Sequence, residues 1–317
     1  MIDFRYHLIS IVGVLLALAI GILAGSGFLG GPLLSDLRHR LNNIAQDNSG
    51  LQKDVAALRR ISQQNQVFAQ ATQPWLLQTA LTSHSVVLLE PEGTDTSTSD
   101  GIVSAIVSAG GTVTSTVSFT DKFALTDPTA RDELALSIQS TSGVANKLRE
   151  EAASLLGLRA AAASRAPVVS GSKPSGSAER FEDLMDQLER DGFVSADRAR
   201  DGITVDPGAL FIVLAGSVER APFPATSFSV TLARSLANHD GIVLAAEPSQ
   251  SVWSFVSSVR ADAEARSTVS TVDDADTVPG GIATVMGLRE AMRGHVGHYG
   301  YAPGADSVIP EPSVSPS

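Results

Sequence analysis

Cysteine is absent from this chain of 317 residues, and the absence excludes several kinds of site at once. Without thiols the chain forms no disulfide, no thiolate metal site, no iron–sulfur cluster and no cysteine nucleophile. Methionine, the other soft ligand, occurs only 4 times, and one of these residues is Met1. The chain therefore lacks the clusters of sulfur ligands that soft metal ions prefer.

Basic residues are also in short supply. The chain has 23 Lys and Arg against 34 Asp and Glu, which gives a formal net charge of −11 and a sequence pI near 4.9. A chain with this balance repels phosphate backbones. We therefore expect no nucleic-acid partner.

Motifs of catalysis and cofactor binding are missing as well. The stretch EPEG at residues 90–93 lacks the glycine spacing of a dinucleotide fingerprint, and AGS at residues 215–217 lacks the Gly-Lys-Ser/Thr of a phosphate loop. No serine lies in a GxSxG elbow, and the histidines are mostly scattered. The sequence therefore predicts a protein that is not an enzyme and has no resident cofactor.

A long uncharged and largely aliphatic run occupies residues 8–35. It exceeds the roughly 20 residues that a helix needs to cross a bilayer, and also the apolar region of about 7–15 residues in a cleavable signal peptide. We predict an uncleaved transmembrane signal anchor over residues 1–33, in preference to a cleaved signal peptide or a helix buried in a soluble core. Basic residues lie on both sides of the run, so the positive-inside rule leaves its orientation open.

A heptad pattern begins beyond a Gly/Pro hinge near Pro32. Position a is occupied by Leu34, Leu41, Asn48 and Val55, and position d by Leu37, Ile44, Leu51 and Leu58. This spacing predicts a coiled-coil stalk over residues 34–73, which ends before Pro74. Because an Asn at position a favours a parallel pair in one register, we expect residues 34–58 to join a homodimer or a higher oligomer. The alternative is a helix that packs this stripe against its own domain.

Short β-branched runs alternate with helical segments beyond residue 83, which is typical of an α/β domain. Strands are predicted over residues 86–90, 112–119, 209–216, 241–248 and 269–272, and helices between them include 146–163, 178–191 and 252–263. We expect a three-layer α/β domain over residues 83–302 with a largely parallel sheet. A disordered tail is expected over residues 303–317.

Two groups of potential metal ligands follow the last predicted strand. Asp273, Asp274 and Asp276 either bind a cation or form turns and cap a helix that begins near Gly280.

The second group lies in and near the stretch GHVGHYGYAPGA. His295 and His298 are three residues apart, Met292 precedes them, and imidazole nitrogen with thioether sulfur suits copper. We predict a metal site formed by His295, His298 and Met292, with Met286 as a further candidate ligand. The alternative is a structural loop, because no third or fourth ligand is evident.

Several segments occur in a recognisable order. These are the anchor with LLALAIGILAGSGF, the stalk ending in DVAALRR, VVLLE followed by SAGGTVTSTVSFTDKF, then VSTVDDADTVPGGIA and GHYGYAPGA. In this order and spacing the chain resembles the actinobacterial copper-transport protein B family, MctB, over nearly its whole length. The resemblance implies an envelope protein of copper efflux and copper resistance, described for the family as an outer-membrane, pore-forming protein. Copper would then be a transported substrate.

The sequence therefore predicts a single-pass membrane protein whose C-terminal domain lies on the extracytoplasmic side and takes part in copper efflux and homeostasis. The alternative is a scaffold or adaptor of the envelope that transports nothing and binds no metal. The predicted strands do not have the alternating pattern of a transmembrane β-barrel, and a single anchor helix encloses no channel. A pore would therefore need several copies of the chain or a large rearrangement.

Overall fold

A computed structural model describes residues 4–166, 176–198, 203–216 and 221–311, and for residues 26–35 it describes the backbone alone. Contacts divide the chain into two units. Met1–Asn65, which we call the helical unit, contains most of one long helix, and Gln66–Ser317, the domain unit, contains the remaining elements.

The elements described alternate between helices and strands from residue 85 onward. The helices are α1 (Phe4–Leu77), α2 (Thr96–Ser108), α3 (Pro128–Ser137), α4 (Ala145–Ser164), α5 (Ser177–Arg190), α6 (Ala225–Asn238), α7 (Phe255–Ala261), α8 (Ala263–Thr268) and α9 (Val278–Met292). The strands are β1 (Ser85–Pro91), β2 (Thr112–Phe119), β3 (Val194–Arg198), β4 (Leu210–Leu214), β5 (Val243–Ala246), β6 (Ser270–Val272) and β7 (His298–Tyr299). A short 3₁₀ helix, Asp121–Ala124, follows β2.

The helical unit exposes its apolar side chains. Phe4–Gly25 has a mean hydropathy of 2.7 and is long enough to cross a bilayer, and none of it is buried. The helix continues through Pro32, so the predicted hinge is not observed. A proline removes one backbone hydrogen bond, and the flanking turns of a long apolar helix tolerate this loss.

The heptad residues of the helical unit are exposed too. From Leu37 to Leu58, the apolar residues at positions a and d have between 44% and 65% of their surface open to solvent. Leu34 lies among the residues whose side chains are not described. A stripe with this exposure is available to a partner, and the coiled coil itself stays a prediction.

The sheet of the domain unit has the strand order β3-β2-β1-β4-β5-β6-β7. β3 runs antiparallel to β2, and the other neighbouring strands are parallel. The largely parallel sheet that the sequence predicts is thereby confirmed. The chain order reverses between β1 and β4, which is the place where open α/β sheets form a crevice at the carboxyl ends of their strands.

Helices cover both faces of this sheet, which confirms the three-layer architecture. In β1, Val87 and Leu89 point into one apolar cluster, whereas Val86 and Leu88 point into another on the opposite face. The first cluster lies beneath α4, α5, α6 and α7, and the second lies beneath α2 and α9. Parallel strands that are buried on both faces read as continuous apolar runs, and VVLL in β1 is such a run.

Three details of the domain differ from the sequence-based expectation. The two edge strands, β3 and β7, were not predicted from the sequence. The helix expected over residues 252–263 is divided at Asp262, which ends α7 and caps α8 by accepting the N–H groups of Glu264 and Ala265. Leu77 and Leu81, which precede residue 83, are fully buried in the second apolar cluster.

The end of the domain unit lies close to β7. Residues 303–311 belong to the segment expected to be disordered, and within it the N–H groups of Asp306 and Ser307 both donate to the carbonyl oxygen of His298. Residues 312–317 lie outside the described residues.

Candidate functional site

Buried carboxyl groups occupy the carboxyl ends of three parallel strands. Glu90 is the last residue but one of β1, Glu247 follows β5, and Asp273 and Asp274 follow β6. The carboxyl ends of parallel strands meet at one edge of the sheet, where α/β proteins bind ligands. This edge is therefore the first place to look for chemistry.

Glu90 and Glu247 are similar in sequence and in burial. Each follows an apolar strand, each precedes a proline, and their exposed fractions are 9% and 4%. The Ser99 hydroxyl donates to Glu90 over 2.6 Å. Burial raises the pKa of Glu90, and the bond from Ser99 partly offsets this rise.

Glu247 holds the start of α7. One carboxylate oxygen accepts the Ser254 hydroxyl at 2.8 Å, and the other accepts the backbone N–H groups of Phe255 and Val256 at 2.6 and 3.0 Å. Burial raises the pKa of Glu247 despite these bonds. With both oxygens occupied, the Glu247 carboxyl acts as a structural cap.

The aspartates after β6 have mostly structural partners. Asp276 accepts the backbone N–H and the hydroxyl of Ser249 at 2.6 and 2.9 Å, and Thr277 caps α9 by accepting the Gly280 N–H at 3.0 Å. The helix begins at Val278, close to the expected start near Gly280. Turns and capping thus account for the geometry of Asp276.

Asp274 differs from its neighbours. It is 2% exposed, its Oδ2 accepts the Thr277 hydroxyl at 3.2 Å, and its Oδ1 has no partner among the described residues. Burial and the nearby Asp273 carboxylate raise the pKa of Asp274 to about 6. The Asp274 carboxyl therefore changes its protonation state at a pH only slightly below neutral.

A cleft of about 720 Å³ opens at the loops that follow β2, β4 and β5. It is lined by Ala124, Thr126, Ala221, Pro222, Phe223, Pro224, Val252 and Trp253. These side chains include no carboxylate, imidazole or thioether. The described lining fits an apolar group and includes none of the side chains that usually bind copper.

His298, one of the predicted metal ligands, is buried in β7 and bonded through both ring nitrogens. Its Nδ1 lies 3.0 Å from the Thr271 hydroxyl and its Nε2 lies 3.1 Å from the Arg266 carbonyl oxygen. A carbonyl only accepts, so Nε2 carries the proton and Nδ1 accepts from Thr271. Burial lowers the pKa of His298, which favours this neutral form.

Arg260 links this region into one buried network. Its side chain is 3% exposed and forms an ion pair with Asp273 at 2.8 Å. The same guanidinium donates to the Thr271 hydroxyl and to the Tyr299 carbonyl oxygen, both at 2.9 Å. The other oxygen of Asp273 accepts the N–H groups of Tyr301 and Ala302 at 2.7 and 3.0 Å. Arg260 and Asp273 therefore fasten the C-terminal segment to α7 and β6.

The remaining predicted ligands lie elsewhere. The His295 side chain is 70% exposed, and its Nδ1 lies 3.3 Å from a carboxylate oxygen of Glu290. Met286 and Met292 pack into the apolar cluster beneath α9. His298 pairs in register with Thr271, and their neighbours Val272 and Tyr299 point into that same cluster. Because side chains alternate along a strand, His298 lies on the face of the sheet opposite the two methionines.

The structure therefore does not bring the predicted ligands together. Within the described part of the chain, no group of three His, Cys, Asp or Glu side chains is placed to hold a metal ion. The predicted site at His295, His298 and Met292 stays a prediction.

Two glycines of the C-terminal stretch, Gly297 and Gly300, are required by close packing. At Gly300, where φ is +119°, an added Cβ would lie 2.2 Å from an oxygen of Asp273. At Gly297 it would lie 2.1 Å from the Tyr299 hydroxyl. At these two positions the glycines of GHVGHYGYAPGA thus reflect close packing around Asp273 and Tyr299.

Sequence reasoning missed Arg260, Thr271 and Glu247. A Glu-Pro pair follows the apolar residues of both strands, Glu247-Pro248 at β5 and Glu90-Pro91 at β1. This shared pattern could have identified both carboxyl groups as buried candidates. No such pattern marks Arg260, whose partners lie between 11 and 43 residues further along the chain.

Comparison with known proteins gives matches along nearly the full length of the chain. A family model described as "Copper transport outer membrane protein, MctB" matches residues 1–310. The copper transporter MctB of Mycobacterium tuberculosis (strain ATCC 25618 / H37Rv) is 30% identical over 329 residues, covering 97% of this chain and 99% of the relative. The copper transporter MctB of Mycobacterium leprae (strain TN) is 31% identical over 323 residues, with the same coverage.

Proposed function

The chain belongs to the MctB family, and from this premise we propose that it takes part in copper efflux across the cell envelope. Copper ions are the transported substrate in this proposal, and the domain performs no catalytic step. The observation that carries it is the extent of the match, because residues 1–310 include both the apolar helix and the α/β domain.

The apolar N-terminal helix supports a membrane location for the protein. Phe4–Gly25 has the length and composition of a single membrane-spanning helix. We propose a single-pass protein of the envelope whose domain unit lies on the extracytoplasmic side. The outer membrane comes from the family description alone, and the formation of a pore is only what the sequence resemblance implies.

Any pore would require several copies, since a single helix cannot enclose a channel. The heptad residues from Leu37 to Leu58 are exposed, and Asn48 lies at position a of this pattern. We propose that these residues pair with the same residues of a second copy, in a parallel arrangement that a shared membrane anchor also imposes. The apolar surface that they would bury favours such pairing.

The contact with copper is proposed to be weak and transient. His295 has an exposed ring, whereas both nitrogens of His298 are held by Thr271 and Arg266. A copper ion at His298 would have to displace two hydrogen bonds of a buried network. The first encounter is therefore assigned to His295, because the sheet also separates His298 from Met292.

Copper titration by calorimetry tests direct binding. The full chain in detergent micelles would be titrated with Cu(I) under reducing conditions and, separately, with Cu(II). We expect saturable binding of about one ion per chain, which His295→Ala weakens because it removes an imidazole ligand. The matched control is His39→Ala, which removes an exposed histidine of the helical unit. Binding that survives His295→Ala unchanged would remove this residue from the site.

A scaffold without a metal site is the second candidate function. It is favoured by one observation, namely that the buried His298 is fully engaged by protein atoms. In that case the titration would give no binding heat with either copper ion. Normal copper content in cells lacking the protein would contradict the efflux proposal and leave the scaffold, whereas copper accumulation would support efflux.

A further inference from the structure

Two aromatic side chains are exposed on one face of the last turns of α1, within the domain unit. Phe68 is 70% exposed and Trp75 is 85% exposed. At 100° per residue these two and Thr72 fall within roughly 60° of one another around the helix axis. We call Phe68, Thr72 and Trp75 the distal stripe.

This exposure is unusual among the phenylalanine and tryptophan side chains of the domain unit. Its other phenylalanines are at most 5% exposed, namely Phe119, Phe123, Phe181, Phe193, Phe211, Phe223, Phe228 and Phe255. Aromatic side chains bury about 150–250 Å² each when they are covered, and contiguous exposed apolar surface marks an interaction site. The opposite side of these helical turns is covered by the rest of the domain unit, where Leu77 is fully buried.

The surroundings of the distal stripe fit a second copy of the same chain. No Asp, Glu, Lys or Arg occurs between Ile61 and Leu89. Two identical faces from this segment therefore meet without like charges, whose repulsion would oppose pairing. The positions that flank the stripe hold Ala71 and Leu76, and Leu76 is itself 48% exposed. Small and apolar flanks allow two helices to approach closely.

The sequence spacing extends the proposed heptad pairing into this region. Leu58, Ile61, Asn65, Phe68, Thr72 and Trp75 follow one another in steps of three and four. The step from Leu58 to Ile61 is three residues, whereas the preceding heptad register requires four. The pattern therefore resumes in a new register after a stammer, a three-residue interruption of the heptad repeat. In the new register Asn65 and Thr72 occupy position a, and the aromatic residues occupy position d.

We infer that the distal stripe is a homotypic interface, in which Phe68 and Trp75 are covered by the same stripe of a second copy. The inference rests on the self-association proposed above and adds a second, domain-proximal contact to it. Chains anchored in one membrane run parallel, so position a of one chain faces position a of its twin. Thr72 then lies opposite Thr72 of the second copy.

Single cysteines test this arrangement cleanly, because the chain contains none. Thr72→Cys would report on the distal stripe, Asn48→Cys on the heptad pairing of the helical unit, and Gln70→Cys on a position half a turn away from the stripe. Each full-length variant would be oxidised with diamide in detergent micelles. A disulfide requires Cβ atoms about 3.5–4.5 Å apart, so we expect Thr72→Cys to cross-link at least roughly tenfold faster than Gln70→Cys.

The outcomes separate the inference from the proposal on which it rests. Cross-linking of both Thr72→Cys and Asn48→Cys supports the distal stripe as a continuation of the pairing. Cross-linking of Asn48→Cys alone overturns the distal stripe and leaves self-association intact. No cross-linking of either variant overturns both, and equal rates for Thr72→Cys and Gln70→Cys overturn the stripe by indicating random collision.

The emission of Trp75 provides a second readout. In a Trp253→Phe background Trp75 is the sole tryptophan. We expect its emission maximum to move to longer wavelength when the protein is diluted at constant detergent concentration, because the covering copy is lost. Phe68→Ser should abolish this shift, whereas Leu136→Ser, which alters another exposed apolar residue of the domain unit, should preserve it. Emission that follows the detergent and not the protein concentration would make the covering partner an amphiphile and overturn the inference.

Discussion

The helical unit and the domain unit use their apolar side chains in opposite ways. In the helical unit, Phe4–Gly25 is wholly unburied and the heptad residues from Leu37 to Leu58 are exposed. In the domain unit, two apolar clusters fill both sides of the sheet. A change in the domain unit should therefore alter the free energy of unfolding, whereas a change in the helical unit should alter association with a membrane or a second copy.

The largest effect on domain stability is expected at the buried ion pair. Arg260→Met would leave the Asp273 carboxylate buried beside an apolar side chain, and the loss of one partner of a buried pair costs about 3–5 kcal/mol. We expect the thermal unfolding temperature of the full chain in micelles to fall steeply. Arg266→Met is the control, because the Arg266 side chain is 43% exposed and its ion pair with Asp306 is long, at 3.8 Å. Similar losses in both variants would contradict the role assigned to the buried network.

A somewhat smaller loss is expected from Gly300→Ala. Its φ of +119° and the 2.2 Å approach of the added Cβ to Asp273 together predict a cost of roughly 2–4 kcal/mol. Gly294 provides a matched control, since it also has a positive φ, +82°, but an added Cβ meets nothing within 4 Å. Denaturant unfolding should separate the steric cost at Gly300 from the cost of backbone conformation that both variants share. Equal costs would indicate that Asp273 moves aside freely.

The pH dependence of stability tests the unpartnered Asp274 carboxyl. The folded chain keeps the Asp274 proton up to about pH 6, whereas the unfolded chain releases it near 3.8. Between these values the folded chain holds more protons, so the Asp274 contribution to the free energy of unfolding falls as pH rises, by at most about 3 kcal/mol. Asp274→Asn removes this contribution. The stability of the variant relative to the wild type should therefore rise between pH 4 and 6.5, and a flat difference would contradict the raised pKa.

The smallest effect on domain stability is expected from a change in the helical unit. Asn48→Ile replaces a polar residue at position a by an apolar one, which should strengthen pairing and loosen its specificity for a dimer. Domain unfolding should stay within about 0.5 kcal/mol of the wild type, because the change lies outside the domain unit. Chemical cross-linking would reveal the expected larger oligomers. An unchanged oligomer distribution would count against pairing through the heptads.

The sequence predicted the centre of the domain better than its edges. β2 occupies the expected residues 112–119, since β-branched residues dominate it and glycines precede it. β3 contains Asp197 and Arg198, and β7 has only two residues in a glycine-rich stretch, so neither has the apolar pattern of a buried strand. Edge strands are held by neighbours that are distant in sequence, and a local pattern does not contain that information.

The candidate site was harder to predict for a related reason. The spacing of His295 and His298 indicated that they could bind one metal ion. The β7 backbone instead directs His298 towards Thr271, while His295 remains exposed beside Glu290. The sheet then separates His298 from Met286 and Met292. Which face of a strand a residue occupies depends on the pairing of β6 with β7, and this pairing was not visible in the sequence.

The Arg260 network also has a consequence for the order in which the domain is built during synthesis. Arg260 is translated 39 residues before Tyr299 and 43 residues before Pro303, whose carbonyl oxygens lie 2.9 and 3.4 Å from its guanidinium. Domains begin to fold while the ribosome is still adding residues. A nascent chain that has reached α9 can therefore assemble most of the sheet, but it holds Arg260 and Asp273 without their final partners. The buried network is therefore completed only after the segment that follows β7 has itself been translated.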